Sequence, residues 1–241
     1  MAEHRPEVLG TLLGVWAHPD DEAYLSAGIM AMVRQSGARV VCVTATKGEA
    51  GSPDDTLWPG EQVAAVRAAE LEASLQVLGV REHHWLGYQD GGCSAVDPEV
   101  PVGRLLRLLE DIRPRTILTF GPDGFTDHPD HRAVSSWTTE AFRRWSGHQA
   151  TLHYAVQTSE WIDAYAQAFA RHGVFAPGTP PACTPDELSI EVALPPDVAE
   201  LKWKALCAQE SQTSALVALV GERLYRDALV GTERFRLAGT V

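Results

Sequence analysis

The chain alternates short apolar runs with longer segments whose apolar residues recur every three or four positions. The runs Thr11–Ala17, Arg39–Thr46, His84–Leu86, Arg115–Phe120 and Thr151–Gln157 predict strands. Between the first two, Glu22–Ser36 sets Leu25, Ile29, Met32 and Val33 at helical spacing and ends at Gly37, a suitable C-cap. Glu61–Leu78 predicts a helix closed by Gly79, Val102–Ile112 one stopped by Arg113-Pro114, and Asp130–Trp145 a fourth. This β-α-β-α order predicts an α/β fold: a Rossmann-like, mainly parallel sheet with helices on both faces. Beyond residue 159 the pattern loosens. Helices are expected at Trp161–Arg171 and Val198–Gln209, a proline-rich loop over 174–186, an alternating strand at Leu188–Leu194 and a last strand at Arg234–Leu237. The chain reads as one domain, 1–241, with a core over about 8–158 and a C-terminal extension over about 159–241 that caps the site. Segments 52–60 and 174–186 are expected to shape specificity.

Composition narrows the setting. A 241-residue chain that is 45% hydrophobic can bury a full core without cross-links. Its four cysteines (Cys42, Cys93, Cys183 and Cys207) are scattered, as expected of free thiols in a reducing compartment. With 20 basic and 32 acidic residues the net charge is −12, which argues against nucleic acid and leaves a small molecule as the natural partner. No run reaches the roughly 18–20 apolar residues of a membrane span. The apolar stretch at 8–17 follows Glu3 and Glu7 and runs into His18, which suits a core strand better than a leader. The expectation is a soluble, cytoplasmic protein with no membrane contact, with homo-oligomerisation left open.

Two strings carry the candidate chemistry: Ala17-His18-Pro19-Asp20-Asp21-Glu22 and His128-Pro129-Asp130-His131. Imidazole and carboxylate bind zinc and move protons near neutral pH. Either string alone reads as readily as a helix cap, since aspartate is favoured at helix N-termini. Together they follow the first and fourth predicted strands. In a sheet of order 3-2-1-4-5 those strand ends meet where the order reverses, which is where open α/β sheets bind ligands. His18 and Asp21, like His128 and His131, are three residues apart at a turn into a helix. A His₂-Asp set drawn from them would leave a fourth position open, as a hydrolytic site needs. Mixed nitrogen and oxygen donors favour Zn²⁺, with Fe²⁺ second, over Mg²⁺.

At these residues the chain resembles the PIG-L/LmbE-type family of zinc-dependent N-acetylglucosaminyl deacetylases. The resemblance rests on AHPDDE at 17–22 and GPDGFTDHPDH at 121–131. Weaker elements are Thr46-Lys47-Gly48-Glu49, the helix carrying Arg67 and Glu70, Leu86-Gly87-Tyr88-Gln89-Asp90-Gly91 and Ser211-Gln212. It implies that His18, Asp21 and His131 bind the metal and that Asp20 is the general base. It also implies that His128 faces the substrate carbonyl, that Asp130 orients His128 or tunes its charge, and that Glu49, Arg67 and Asp90 contact the sugar. The chain departs from the family pattern at Asp127, where glycine is usual, and at Thr126, where some members carry a carbonyl-polarising tyrosine.

The implied activity is hydrolytic removal of acetyl from an N-acetylated amino sugar or related glycoconjugate. A second enzymatic reading is an amidase acting on a larger acyl group or a thiol-conjugate amide. A third is a metal-containing binding protein without activity. A dinucleotide-binding module is disfavoured, because the first strand runs into HPDDE instead of G-x-G-x-x-G. Arg67 and Glu70, three apart on one helix, read equally as a surface ion pair, and Asp90 before Gly91-Gly92 reads nearly as well as a turn residue.

Overall fold

The computed structural model describes residues 9–51, 56–146, 149–176, 180 and 182–240. Parts of the two expected specificity segments, 52–55, 177–179 and 181, lie outside the described residues. The first half of the chain runs β1 (Leu12–Trp16), α1 (Asp21–Leu25), α2 (Ala27–Gln35), β2 (Val40–Thr46), α3 (Gly60–Val77), β3 (Glu82–Tyr88), α4 (Glu99–Ile112) and β4 (Thr116–Phe120). A distorted turn, α5 (Gly124–Asp127), leads into α6 (Pro129–Arg144), β5 (Thr151–Ala155) and β6 (Gln157–Thr158). Then come α7 (Ser159–Trp161), a π-helical turn at Ile162–Ala166, α8 (Gln167–Ala170), β7 (Ala182–Cys183) and β8 (Leu188–Ala193). The described chain closes with α9 (Pro196–Cys207), α10 (Glu210–Val220), α11 (Glu222–Leu229) and β9 (Thr232–Thr240).

The main sheet has seven strands in the order β3-β2-β1-β4-β5-β9-β8. Its first five are parallel; β9 adds antiparallel to β5, and β8 pairs antiparallel to β9. Interior parallel strands need both faces covered, which calls for mostly apolar residues along their length. All residues of β1, β2 and β4 are buried accordingly. The chain moves outward from β1 through β2 to β3, then returns to β4 on the other flank. The carboxyl ends of β1 and β4 therefore sit side by side at the reversal. Among the described residues no helix is long and apolar enough to cross a membrane.

Two differences from the sequence reading have clear causes. The single helix expected at 22–36 is broken at Ser26, whose backbone leaves the helical region (φ −143°, ψ 5°). The break gives α2 its own N-terminus, whose free N–H groups at Gly28 and Ile29 donate to the two carboxylate oxygens of Glu233 on β9, each at 2.8 Å. Lys202 of α9 closes this knot, its Nζ donating to Glu233 at 2.8 Å and to the Tyr24 carbonyl at 2.8 Å, with both charged side chains 1% exposed. The second difference is α10 and α11. The apolar residues of α10 are contiguous (Ala215-Leu216-Val217-Ala218-Leu219-Val220) and carry little helical period, so the sequence reading ends its last helix at Gln209.

The Lys202–Glu233 pair ties the C-terminal extension to the parallel core. Removing one partner of a buried pair strands the other charge, at a cost of about 3–5 kcal/mol. Glu233→Ala is expected to lose stability on that scale in urea unfolding. A loss below about 1 kcal/mol would show that the pair does not hold the extension down.

Candidate metal centre

The turn after β1 and the loop after β4 converge at the strand-order reversal. His18 Nδ1 lies 3.1 Å from His131 Nε2. Asp21 Oδ1 lies 3.4 Å from that His131 nitrogen, and Asp21 Oδ2 lies 3.7 Å from His18 Nδ1. Donors bound to zinc at about 2.0–2.1 Å in a tetrahedron are separated by about 3.3 Å, so the spacing of these three groups suits one ion.

Hydrogen bonds behind each ring fix which nitrogen faces the centre. His131 Nδ1 donates to the Gly124 carbonyl at 2.9 Å, and Thr126 Oγ1 is 3.2 Å away. A carbonyl only accepts, so Nδ1 carries the proton and Nε2 presents its lone pair. His18 Nε2 lies 3.0 Å from Asp90 Oδ1 and 3.4 Å from Asp130 Oδ2, which holds a proton on Nε2 and turns Nδ1 inward. Asp21 Oδ2 accepts from the backbone N–H groups of Ala17 and His18, at 3.2 and 2.8 Å, leaving Oδ1 free. Two imidazole lone pairs and a carboxylate thus converge, an arrangement that requires a cation or a proton among them. Burial opposes a charged His18, but Asp130, Asp90 and Asp21 overcome it and raise its pKa to about 10. Burial lowers His131 to about 4 despite Asp21. The donor set therefore holds a proton at His18 until a metal displaces it.

His128 also brings a ring nitrogen within 4.8 Å of those of His18 and His131. Its Nδ1, however, accepts the Asp130 backbone N–H at 3.2 Å, capping α6. The neutral ring then carries its proton on Nε2 and is a donor instead of a ligand. Burial, followed by repulsion from His18, lowers the His128 pKa, with Asp130 pulling weakly the other way. Asp130 contacts His128 through this backbone N–H. Its carboxylate does something else: besides approaching His18, it accepts from Gly91 N at 2.7 Å and Cys93 N at 3.1 Å, docking the loop after β3 onto α6.

Asp20 sits beside Asp21 with backbone φ 116°, ψ −34°, a strained conformation for a residue with a side chain. Its N–H is held by the buried Glu22 carboxylate at 3.1 Å, which also takes Gln209 Nε2 and Ser74 Oγ. Burial raises the Asp20 carboxyl to about 7, against the opposing pull of Arg67.

Arg67 pairs with Asp20, not Glu70: its Nη2 is 3.4 Å from Asp20 Oδ2 and donates to the Pro19 carbonyl at 2.6 Å, and Nη1 donates to Gly48 O at 2.8 Å. Gly48 (φ +65°) is needed here, since a Cβ would stand 2.2 Å from the guanidinium. Glu70 instead receives the N–H and hydroxyl of Ser211 at 2.8 and 2.5 Å. Arg67 and Asp90 line the cavity over the centre, whereas Glu49 does not. Glu49 Oε1 accepts the Asp90 N–H at 3.0 Å, and Asp90 Oδ2 accepts Ala50 N at 2.9 Å, so this pair clamps two loops together.

The family departures have local explanations. Asp127 is left-handed (φ 67°), a conformation that favours glycine but that aspartate tolerates, and its carboxylate pairs with Arg132 at 2.8 Å. Thr126 lines the cavity beside His131, its Oγ1 3.2 Å from His131 Nδ1. The sequence reading gave no role to Glu22 or Gln209. Only Glu22, within AHPDDE, carried a local signal.

The family described as GlcNAc-PI de-N-acetylase, PIG-L, matches residues 13–142. A 1D-myo-inositol 2-acetamido-2-deoxy-alpha-D-glucopyranoside deacetylase of Mycobacterium sp. (strain JLS) is 33% identical over 184 residues, 67% of this chain and 60% of that protein. The mycothiol S-conjugate amidase of Streptomyces coelicolor is 34% identical over 150 residues, 54% of this chain and 51% of that one. The chain spans only 44–60% of the length of such curated relatives. In fold it resembles the N,N'-diacetylchitobiose deacetylase from Pyrococcus horikoshii, with a TM-score of 0.67 at 22% identity over 98% of this chain and 86% of that one. The motifs, the strand order and this match agree: the chain belongs to the PIG-L family.

Proposed function

We propose that this protein is a metal-dependent hydrolase that removes the N-acetyl group from an amino-sugar conjugate, with zinc held by His18, Asp21 and His131. The observation that carries the reading is the pair of inward lone pairs 3.1 Å apart, beside a free carboxylate oxygen and a carboxyl poised near neutrality. A bound zinc ion would supply Lewis acidity, making water nucleophilic near neutral pH and polarising the amide carbonyl. The similarity to curated deacetylases of acetamido sugars supports the choice of substrate class.

The chain's own groups divide the remaining work. Asp20 is the general base: its carboxylate takes the proton of the attacking water and, once protonated, can return it to the leaving amine nitrogen. Arg67 keeps Asp20 in place, and the Glu22 carboxylate holds its strained backbone. His128 acts as a neutral hydrogen-bond donor, its Nε2–H directed to the oxygen that becomes negative as the carbonyl turns tetrahedral. Burial and repulsion from His18, which lower the His128 pKa, support this neutral form. Asp90 and Asp130 fix the tautomer of His18 and supply charge behind it. Arg67 and Asp90, which line the cavity, are assigned to the sugar hydroxyls, with Glu49 acting through Asp90.

Two measurements test this reading. Asp20→Asn should keep one metal per chain while kcat falls about 10²–10⁴-fold; normal turnover with metal bound would remove Asp20 from the base role. Because His18 stays protonated below its raised pKa of about 10, zinc uptake at pH 7.5 should release about one proton per ion. Affinity should then weaken about tenfold per pH unit as pH falls from 9 to 7. Calorimetry in buffers of different ionisation enthalpy reads the proton count, and uptake without proton release would contradict the arrangement.

A further inference from the structure

The cavity over the metal centre encloses about 420 Å³ and is unequal in character. Its polar groups gather around His18, Asp20, Arg67 and His128. Much of the remaining wall is apolar, made by Phe125, Phe169, Val174, Phe175, Leu216 and Leu229. The phenylalanines form one rigid cluster. Phe175 stands 6.3 Å from both Phe125 and Phe169, and Trp161 backs Phe175 at 5.9 Å and Phe169 at 6.4 Å. Trp161 is itself anchored, its Nε1 donating to the Ala228 carbonyl at 2.7 Å.

Charged residues on this side are already engaged. Glu233 is taken by Lys202 and the N-terminus of α2, and Arg234 by Glu191 at 2.9 Å and Gln157 at 3.2 Å. What this side offers a ligand is mainly hydrocarbon surface. Phe125 adds a second, independent sign. Its backbone is at φ 63°, ψ −49°, unfavourable for an aromatic residue, and is pinned by its N–H to Asp123 Oδ1 at 2.7 Å. Strain of this kind persists where the surrounding structure enforces it, and it gathers at ligand sites. Apart from Phe125, the whole wall comes from residues beyond the family match at 13–142. The metal-facing residues thus lie within the family match, and most of the wall lies outside it.

We infer that the substrate is an amphipathic amide: an amino sugar carrying an apolar substituent, about the size of an aromatic ring or a six-carbon chain, that seats against the Phe125–Phe175 wall, which the buried Phe169 backs. The inference rests on the reading of the site as an amide hydrolase. The apolar group belongs either to the acyl group or to the aglycone, and the assay separates these sources. With the zinc-loaded protein, kcat/KM is measured for the methyl glycoside of N-acetylglucosamine, its hexyl glycoside, and the methyl glycoside of N-hexanoylglucosamine. Each methylene buried contributes about fourfold, so one hexyl-bearing compound should exceed the methyl acetamide by at least tenfold. That ratio should fall to within about threefold of unity in Phe175→Ala and return in Phe175→Leu. Equal kcat/KM for all three compounds overturns the inference. Calorimetric titration with hexyl and methyl β-D-glucoside, which have no amide, reads the wall without turnover. Binding of the hexyl compound at least tenfold tighter supports the wall even if no amide is cleaved, in which case the hydrolase reading alone fails. Equal affinity overturns the wall even if acetamides are cleaved, unless the N-hexanoyl amide is the preferred substrate, which assigns the wall to the acyl group.

Discussion

Two imidazole nitrogens face each other across 3.1 Å because hydrogen bonds behind them leave no alternative. Gly124 O takes the outer proton of His131, and Asp90 and Asp130 take that of His18. Each of those acceptors is fixed by something further out. Gly124 belongs to the strained loop after β4, Asp130 opens α6 and clamps the loop after β3, and Asp90 is held by Ala50 and Glu49. The loops after β1, β2, β3 and β4 are thereby tied into one carboxyl-end platform. The electrostatic cost of converging lone pairs and carboxylates in a buried site is offset by a proton on His18 or by a metal cation that displaces it.

The same platform sets the proton inventory. Asp20 and Asp21 are adjacent in sequence but sit in different fields: Asp21 is stabilised by two backbone N–H groups, and Asp20 is desolvated against Arg67. Two neighbouring carboxylates pushed towards different tasks are a common basis for acid–base chemistry. The positive φ of Asp20 permits this divergence, since it turns one side chain over the cavity while the next faces the histidines.

The parallel core was legible in the sequence because buried parallel strands are mostly apolar and each is followed by a helix of ordinary period. The reversal of strand order followed, and with it the meeting of His18–Asp21 with His128–His131. Less legible were features set by tertiary contact. The break at Ser26 exists for Glu233, some two hundred residues away. The Arg67–Asp20 pairing looked like an Arg67–Glu70 pair because spacing along one helix says nothing of what approaches it. Glu49 had the right local setting for a sugar contact, yet its carboxylate is turned to the Asp90 backbone. The apolar wall left no motif at all, since phenylalanines in a loosely patterned segment read as ordinary core.

The central claim is that the hydrogen-bonded tautomers of His18 and His131, with Asp21, define a single ion site from which His128 is excluded. A crystal grown with zinc and measured at the zinc absorption edge tests this directly. The account predicts one anomalous peak per chain at about 2.0–2.2 Å from His18 Nδ1, His131 Nε2 and an Asp21 carboxylate oxygen, with His128 Nδ1 still accepting from the Asp130 N–H. A peak bonded to His128, or to the outer nitrogens of His18 and His131, would contradict it.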